Sequence, residues 1–315
     1  MKGLIGYSGF VGSNINLQFN FNEFYNSINI SKIKNKNFDL LICAGAPGSM
    51  LHANADTESD KNSINILIEN LKNVRSKKFI LISSIAVYEN MGLCQNEDSR
   101  SFEIKNEYGK NRKYLEDACA EIFENLIILR LPALFGNSLK KNFIYDILNP
   151  IPSYFTFNKY EELQSLLSKR DFVSLNRFYK SSHILNMMEL NRDKFNVSDK
   201  KKYFEETIND LNVSSISLHS KQSTFQFYNL LNFKEDLKII MKNNIALINL
   251  VNEPISTGEL YKFIKNKEMP NSNAHIHKEN IESKFSFYWN EKLNYMFSKA
   301  KVKEDIKHVL RNYIE

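Results

Sequence analysis

Residues 1–15 read MKGLIGYSGFVGSNI, and the rest of the chain is organised around them. A short apolar run, Leu4-Ile5, meets glycines at Gly6, Gly9 and Gly12, after which Val11 and Ile15 fall at helical spacing on one face. That order predicts a strand, a tight turn and the start of a helix. Such a turn brings bare backbone N–H groups and a helix N-terminus up against a pyrophosphate. Gly6 makes the tight turn, Gly9 lacks the Cβ that would block the approach, and Gly12 lets helix and strand pack closely, with Phe10 and Val11 opening the helix beside the ligand. An ordinary glycine-rich loop is the alternative. The position of the three glycines, directly after an apolar strand and ahead of repeated strand–helix units, favours the nucleotide turn.

Composition sets the bounds. The 315 residues suffice for one large or two modest domains, and 43% hydrophobic with 12% aromatic supplies a core. No apolar run reaches the length of a membrane span, and Gly3 and Gly6 stand where a secretory signal carries its apolar stretch, so the expectation is a cytoplasmic protein with no membrane partner. Cys43, Cys94 and Cys119 are far apart and form no CxxC pair, which argues against a disulfide framework and a thiolate metal site. Net charge is +6, but the lysines are interspersed with acids, as at Lys200 to Lys202 followed by Glu205 and Glu206. That pattern predicts solvated faces rather than a nucleic-acid partner.

Downstream, Glu23 to Asn26 reads as a second strand. A carboxylate commonly ends this strand and accepts the adenosine ribose hydroxyls; Asn26 and Ser27 stand there instead, a neutral end that permits NADP as well as NAD. Phe38 to Ala46 is an apolar strand running into Ala44, Gly45 and Ala46, small residues that let a flat cofactor lie close. Ser59 to Val74 is helical, Lys78 to Ser84 is the next buried strand, Asn106 to Phe123 a helix, and Leu126 to Leu131 a strand closed by Pro132 and Gly136. This alternation predicts an α/β fold, a doubly wound parallel sheet of Rossmann type with ligands at its carboxyl edge. Beyond residue 150 the alternation loosens. The expectation is a dinucleotide-binding domain over 1–150, part of 215–255 returning to it, and a smaller irregular α+β substrate region over most of 151–315. Within that region Phe225 to Tyr228 and Ile248 to Val251 read as strands, Phe233 to Met241 and Gly258 to Ile264 as helices, and Lys265 to Ser283 as a loop.

Four motifs in this order, GYSGFVG (6–12), SSIAVY (83–88), YGKNR (108–112) and LRLPALFG (129–136), with NLVNEPIS (249–256) less specifically, resemble the extended short-chain dehydrogenase/reductase family of sugar-nucleotide epimerases, dehydratases and reductases. The resemblance covers 1–146 well and the remainder thinly. It implies NAD or NADP as cofactor, a nucleotide-linked sugar as substrate, a role in polysaccharide biosynthesis, and a possible homodimer. It also implies catalysis by Tyr108 as acid/base, with Ser84 hydrogen-bonding the same substrate oxygen. A phenol titrates near 10 unaided, so work near neutrality needs help, which the family draws from a lysine four residues on. Here that position is Arg112.

At ~100° per residue Arg112 lies about 40° round the helix from Tyr108, while Lys110 and Lys113 lie about 160° and 140° away. Arg112 is therefore the cation on that helix placed to act on cofactor and phenol, although its planar fork does not reproduce a lysine's compact contacts. Three readings stay open: an enzyme that works with Arg, a slow or differently specialised enzyme, and a nucleotide-binding protein without redox chemistry. Family dehydratases carry Asp-Glu after the strand serine. Ile85-Ala86 occupies that place, leaving epimerisation or keto-sugar reduction. Lys141 and Asn142 follow the Pro132–Gly136 segment and are candidates to hold a substrate pyrophosphate by a charge and an amide, with a basic surface turn as the alternative. Ala46 and Pro132-Ala133 are expected to border the nicotinamide and sugar, with close packing of small residues as the structural alternative, and Gln226 and Asn229 are weaker substrate-side candidates. His275 and His277 have strand-like spacing but no evident third ligand, so no metal site is expected. Tyr7 reads as a packing or adenine-side residue. Trp289 with Phe285, Phe287 and Tyr288 reads as the core of the C-terminal region.

Overall fold

The computed structural model describes residues 1–289, 292 and 294–314. The chain forms two compact units, one of Met1–Leu139, Thr224–Ile255 and Lys278–Glu315, the other of Lys140–Ser223 and Ser256–His277. The sequence reading puts 1–150 with part of 215–255 in the first domain and most of 151–315 in the substrate region; in the structure 224–255 stands in the first unit, as does 278–315, and the break falls after Leu139.

The first unit is built on six strands, β1 (Lys2–Ile5), β2 (Glu23–Tyr25), β3 (Leu40–Cys43), β4 (Phe79–Ser84), β5 (Leu126–Leu131) and β6 (Leu247–Asn249). They lie in the order β6-β5-β4-β3-β1-β2, and every pair is parallel. The chain runs from β1 outward to β2, then returns past β1 to β3, so the sheet's topological switch lies between β1 and β3. Ligands of such sheets bind outside the carboxyl ends at that switch.

Side chains alternate across each strand, so the apolar runs feed two cores. Leu4, Ile42, Ile80, Ile82, Leu129 and Leu131 pack on one face, together with Ile15 of helix α1 (Phe10–Asn16). Ile5, Leu41, Cys43, Phe79 and Leu81 pack on the other, against Ile64, Leu67, Ile68 and Leu71 of α2 (Thr57–Leu71) and Leu115 and Cys119 of α3 (Glu107–Ile122). Helix α2 starts where Asp56 accepts a hydrogen bond from the Ser59 N–H at 3.0 Å, an N-cap that local sequence alone supplies.

The returning segments complete the first core. Helix α4 (Phe233–Lys242) buries Phe233, Leu237 and Ile240 there, beside Ile248 of β6. The expected strand at Phe225–Tyr228 is divided at Gln226, and its second part, Phe227–Asn229, pairs in parallel with Ala133–Phe135. Trp289 and Phe285 pack against this same core, so they belong to the first unit, whereas Phe287 and Tyr288 are exposed. A final helix, α5 (Lys299–Ile314), which the sequence analysis does not anticipate, buries Val302, Ile306, Val309 and Leu310.

The second unit holds a three-stranded antiparallel sheet in which Met187–Leu190 lies between Tyr179–Ser182 and Tyr154–Thr156. Its core is Phe155, Tyr160, Leu163, Leu175, Tyr179, Phe195, Phe204 and Ile208, drawn from that sheet and its helices. Aromatic packing carries this unit. A period-2 pattern on strands of three or four residues is too short to read against helical spacing.

Candidate active site

The glycine turn closes the carboxyl end of β1. Gly6 adopts φ +83°, and a Cβ there would stand 2.1 Å from the Ala44 carbonyl oxygen, so only glycine fits between the ends of β1 and β3. A Cβ on Gly12 would stand 2.0 Å from the Gly6 carbonyl oxygen, which is the close approach of helix α1 to its own turn. Gly9 differs, because the nearest atom to its Cβ position is the Gly6 oxygen at 3.4 Å, an ordinary contact. Among the described residues no atom requires a bare Cα at position 9, and the residue is exposed. Gly9 also begins α1, and no side chain caps that start or puts a carboxylate in its first turn. The opening at Gly9 and the uncapped N–H groups of Phe10 and Val11 thus fit an anionic group laid against the backbone.

Around this turn stand the other residues expected to hold a dinucleotide. Ala44, Gly45 and Ala46 continue β3 and are half-buried. Asn26 follows β2; its Nδ2 lies 3.5 Å from both Tyr7 Oη and Ser8 Oγ, and its Oδ1 accepts from the Ile28 N–H at 3.0 Å. Tyr7 packs edge-on against Phe24 with centroids 5.6 Å apart, a packing role for its ring. Pro132 is buried directly after β5.

Ser84 ends β4 opposite Leu131 of β5. Its Oγ accepts from the Ala86 N–H at 3.2 Å and so starts the helical turn Ile85–Val87. Helix α3 begins against that turn, since a Cβ on Gly109 would stand 2.0 Å from the Ala86 carbonyl oxygen. Gly109 therefore seats the neighbouring Tyr108 beside the segment that carries Ser84. The Tyr108 N–H donates to Asn54 Oδ1 at 3.0 Å, which satisfies one of the free donors of the helix start.

Arg112 is 2% exposed, and its charge is engaged by a carboxylate. Nη1 and Nη2 meet the two carboxylate oxygens of Asp60 at 3.2 and 3.1 Å, and Nη2 also donates to the Pro47 carbonyl. The guanidinium carbon lies 4.3 Å from the centroid of the Tyr108 ring. Arg112 therefore shares the face of Tyr108, as helical spacing expects, yet it meets the ring rather than standing as an unpaired cation. Asn111 donates to the same Asp60 at 2.9 Å.

Behind Ser84 lies a second buried ion pair that the sequence analysis missed. Glu116 of α3 takes Arg130 of β5 in a fork at 2.9 and 2.6 Å and accepts from Ser83 Oγ at 2.6 Å. Arg130 also donates to Tyr88 Oη at 2.8 Å, and burial pushes the Tyr88 phenol up from its ordinary value. The sequence did carry a signal: Arg112 and Glu116 occupy the buried stripe of α3, and Arg130 interrupts an apolar strand. Burial likewise pushes the Cys43 thiol, on β3, up to about 12, which leaves it inert as a nucleophile near neutrality.

Other expected contacts are engaged internally. Lys141 and Asn142 belong to the second unit, where Asn142, at φ 99°, caps the helix Phe143–Leu148 by accepting from Ile144 and Tyr145 N–H groups at 3.0 and 3.2 Å. Gln226 is fully buried, and its amide bonds to the backbone of Asn252 and Ile281. Asn229 caps a turn through Leu231 N–H. Both amides serve the fold. The His277 N–H donates to Ser223 Oγ at 3.0 Å. No group of three metal-ligating side chains occurs among the described residues.

No protein-family model matches the chain, and no curated protein matches it in sequence. Solved structures match along nearly its whole length, and the chain has the fold of the short-chain dehydrogenase/reductase enzymes that its motifs resemble. A UDP-N-acetylglucosamine 4-epimerase from Methanobrevibacter ruminantium, solved with UDP-N-acetylmuramic acid, is 14% identical, with 99% of this chain and 97% of that one covered and a TM-score of 0.61. A dTDP-4-dehydrorhamnose reductase from Bacillus anthracis, solved with NADP, is 12% identical over 99% and 97% at 0.62. MoeE5, solved with UDP-glucose and NAD, is 10% identical over 100% and 99% at 0.61. At these identities the likeness establishes the fold. No helix among the described residues is long and apolar enough to cross a membrane.

Proposed function

We propose that the chain is an NAD(P)-dependent epimerase or keto-reductase acting on a nucleotide-linked sugar. The observation that carries the reading is the opening at Gly9, where a bare Cα serves no packing need and faces an uncapped helix start at the sheet's switch point. The residues present fit a dinucleotide: Gly6, Gly9 and Gly12 with the Phe10 and Val11 N–H groups for its pyrophosphate, Asn26 for the adenosine ribose, and Ala44 to Ala46 with Pro132 along its length. Bound there, the nicotinamide supplies a hydride acceptor or donor. Tyr108 then gives or takes the proton of the sugar oxygen, and Ser84 donates a hydrogen bond that orients that oxygen. Asn26 carries no charge, so it repels neither a ribose hydroxyl pair nor a 2′-phosphate, and NAD and NADP both fit. Two of the solved neighbours that share the fold hold NADP and NAD.

Tyr108→Phe tests the role directly. It removes one oxygen, so turnover of the preferred nucleotide sugar disappears while dinucleotide binding stays within a factor of about two. Undiminished turnover, or lost dinucleotide binding, overturns the assignment. Thermal unfolding with NAD, NADP and a panel of UDP-, GDP- and dTDP-sugars identifies the ligands, because ligand at 100 times its dissociation constant adds ~2.7 kcal/mol of stability. The second reading, a nucleotide-binding protein without redox chemistry, is favoured by the pairing of Arg112 with Asp60. Stabilisation by dinucleotide with no response to any sugar nucleotide and no hydride exchange selects it.

A further inference from the structure

We propose that Asp60 is a positioning residue for Tyr108, acting through Arg112; the proposal rests on the catalytic reading of Tyr108. Three observations converge on it. Asp60 is 5% exposed on α2, a different helix from Tyr108, and both of its oxygens are taken by the Arg112 fork. The same guanidinium donates to the Pro47 carbonyl in the segment that follows the small residues of β3. Held from these two sides, its central carbon lies over the Tyr108 ring, 4.3 Å from the centroid, within the range of a cation–π contact. A fork bound at both ends cannot swing toward the hydroxyl without leaving a buried carboxylate unpaired.

Position 112 therefore has a different task from a free cation beside the phenol. Asp60 turns Arg112 into a clamp over the ring, and Tyr108 is held by the cation–π contact on its ring. Ahead of α3, the Glu103 side chain meets the Cβ position of Gly109 at 2.9 Å. Among the described residues, Asp60 is the acid hydrogen-bonded to Arg112.

Crystal structures and kinetics of Asp60→Asn test this. Expected is an Arg112 guanidinium displaced beyond ~6 Å from the ring centroid, with kcat lowered ~10-fold or more while KM for the nucleotide sugar and the dinucleotide dissociation constant hold within about two-fold. Asp60→Glu should restore part of the lost kcat, since it returns a carboxylate to the fork. Should Asp60→Asn fail to fold, the doubly apolar Asp60→Leu/Arg112→Met variant takes its place. Its kcat should be no lower than that of Arg112→Met alone, because a residue acting only through Arg112 adds nothing once that side chain is gone. A guanidinium that stays on the ring in Asp60→Asn, an unchanged kcat, or a double variant well below Arg112→Met overturns the proposal. If the parent turns over no nucleotide sugar while Arg112 still leaves the ring in Asp60→Asn, the catalytic reading fails and the clamp stands as a structural device.

Discussion

A Cβ on Gly12 would stand 2.0 Å from the Gly6 carbonyl oxygen, whereas one on Gly9 would meet nothing closer than 3.4 Å. The two glycines thus answer to different constraints, one to the protein and one to what lies against it. Gly12→Ala should destabilise the fold by roughly 2–4 kcal/mol, read as a shifted urea midpoint, because backbone must move to admit the methyl group. Gly9→Val should leave that midpoint within about 0.5 kcal/mol and yet abolish stabilisation by dinucleotide. A Gly9→Val protein that binds dinucleotide as the parent does would remove the site from this turn. Arg112→Lys belongs to the same scale. A lysine keeps the charge but cannot form a fork to Asp60 and also reach the Pro47 carbonyl, so the variant should lose about 1–3 kcal/mol of stability, read as a lowered urea midpoint.

At the scale of elements, α3 is pinned to the sheet by charge as well as by Leu115 and Cys119. Glu116 and Arg130 are each about 2% exposed and satisfy one another in a fork, with Ser83 and Tyr88 completing the network. Removing one partner leaves a buried charge, so Glu116→Gln should cost about 3–5 kcal/mol in chemical unfolding. Replacing both, as Glu116→Leu with Arg130→Met, should cost distinctly less, since the penalty lies in the orphaned charge rather than in the loss of the pair. Equal costs would show that the network stabilises by packing alone. Ser83 and Ser84 are neighbours with divided work: alternation turns one to the ion pair and leaves the other at the strand end beside the start of α3.

For the whole molecule, the telling residue is Asp236, where the returning part of the chain is tied together. Its carboxylate accepts from Tyr228 Oη at 2.6 Å and Trp289 Nε1 at 2.8 Å. Burial nevertheless outweighs both hydrogen bonds and pushes the carboxyl from 3.8 up to about 6. A carboxyl raised on folding favours the protonated native state. Its contribution to stability is therefore complete below the unfolded value and is lost as pH rises through about 6. Between about pH 4 and about pH 7 the parent should lose roughly 2 kcal/mol more than Asp236→Asn does, measured by urea unfolding at each pH. Parallel pH dependence in the two proteins would show that Asp236 does not govern it.

The sequence by itself determined the glycine turn, the strand–helix alternation through Leu131, the two faces of each strand and the helical register that sets Arg112 beside Tyr108. All of these follow from residue spacing over a few turns or one strand. Only the tertiary structure decided that Arg112 meets Asp60, that Glu116 meets Arg130, that Asn142 and Gln226 serve the backbone, and that 278–315 packs into the first unit. Each of those depends on a partner distant in the chain. A polar side chain carries its own charge and donors in its identity, but who satisfies them is a property of the packed neighbours.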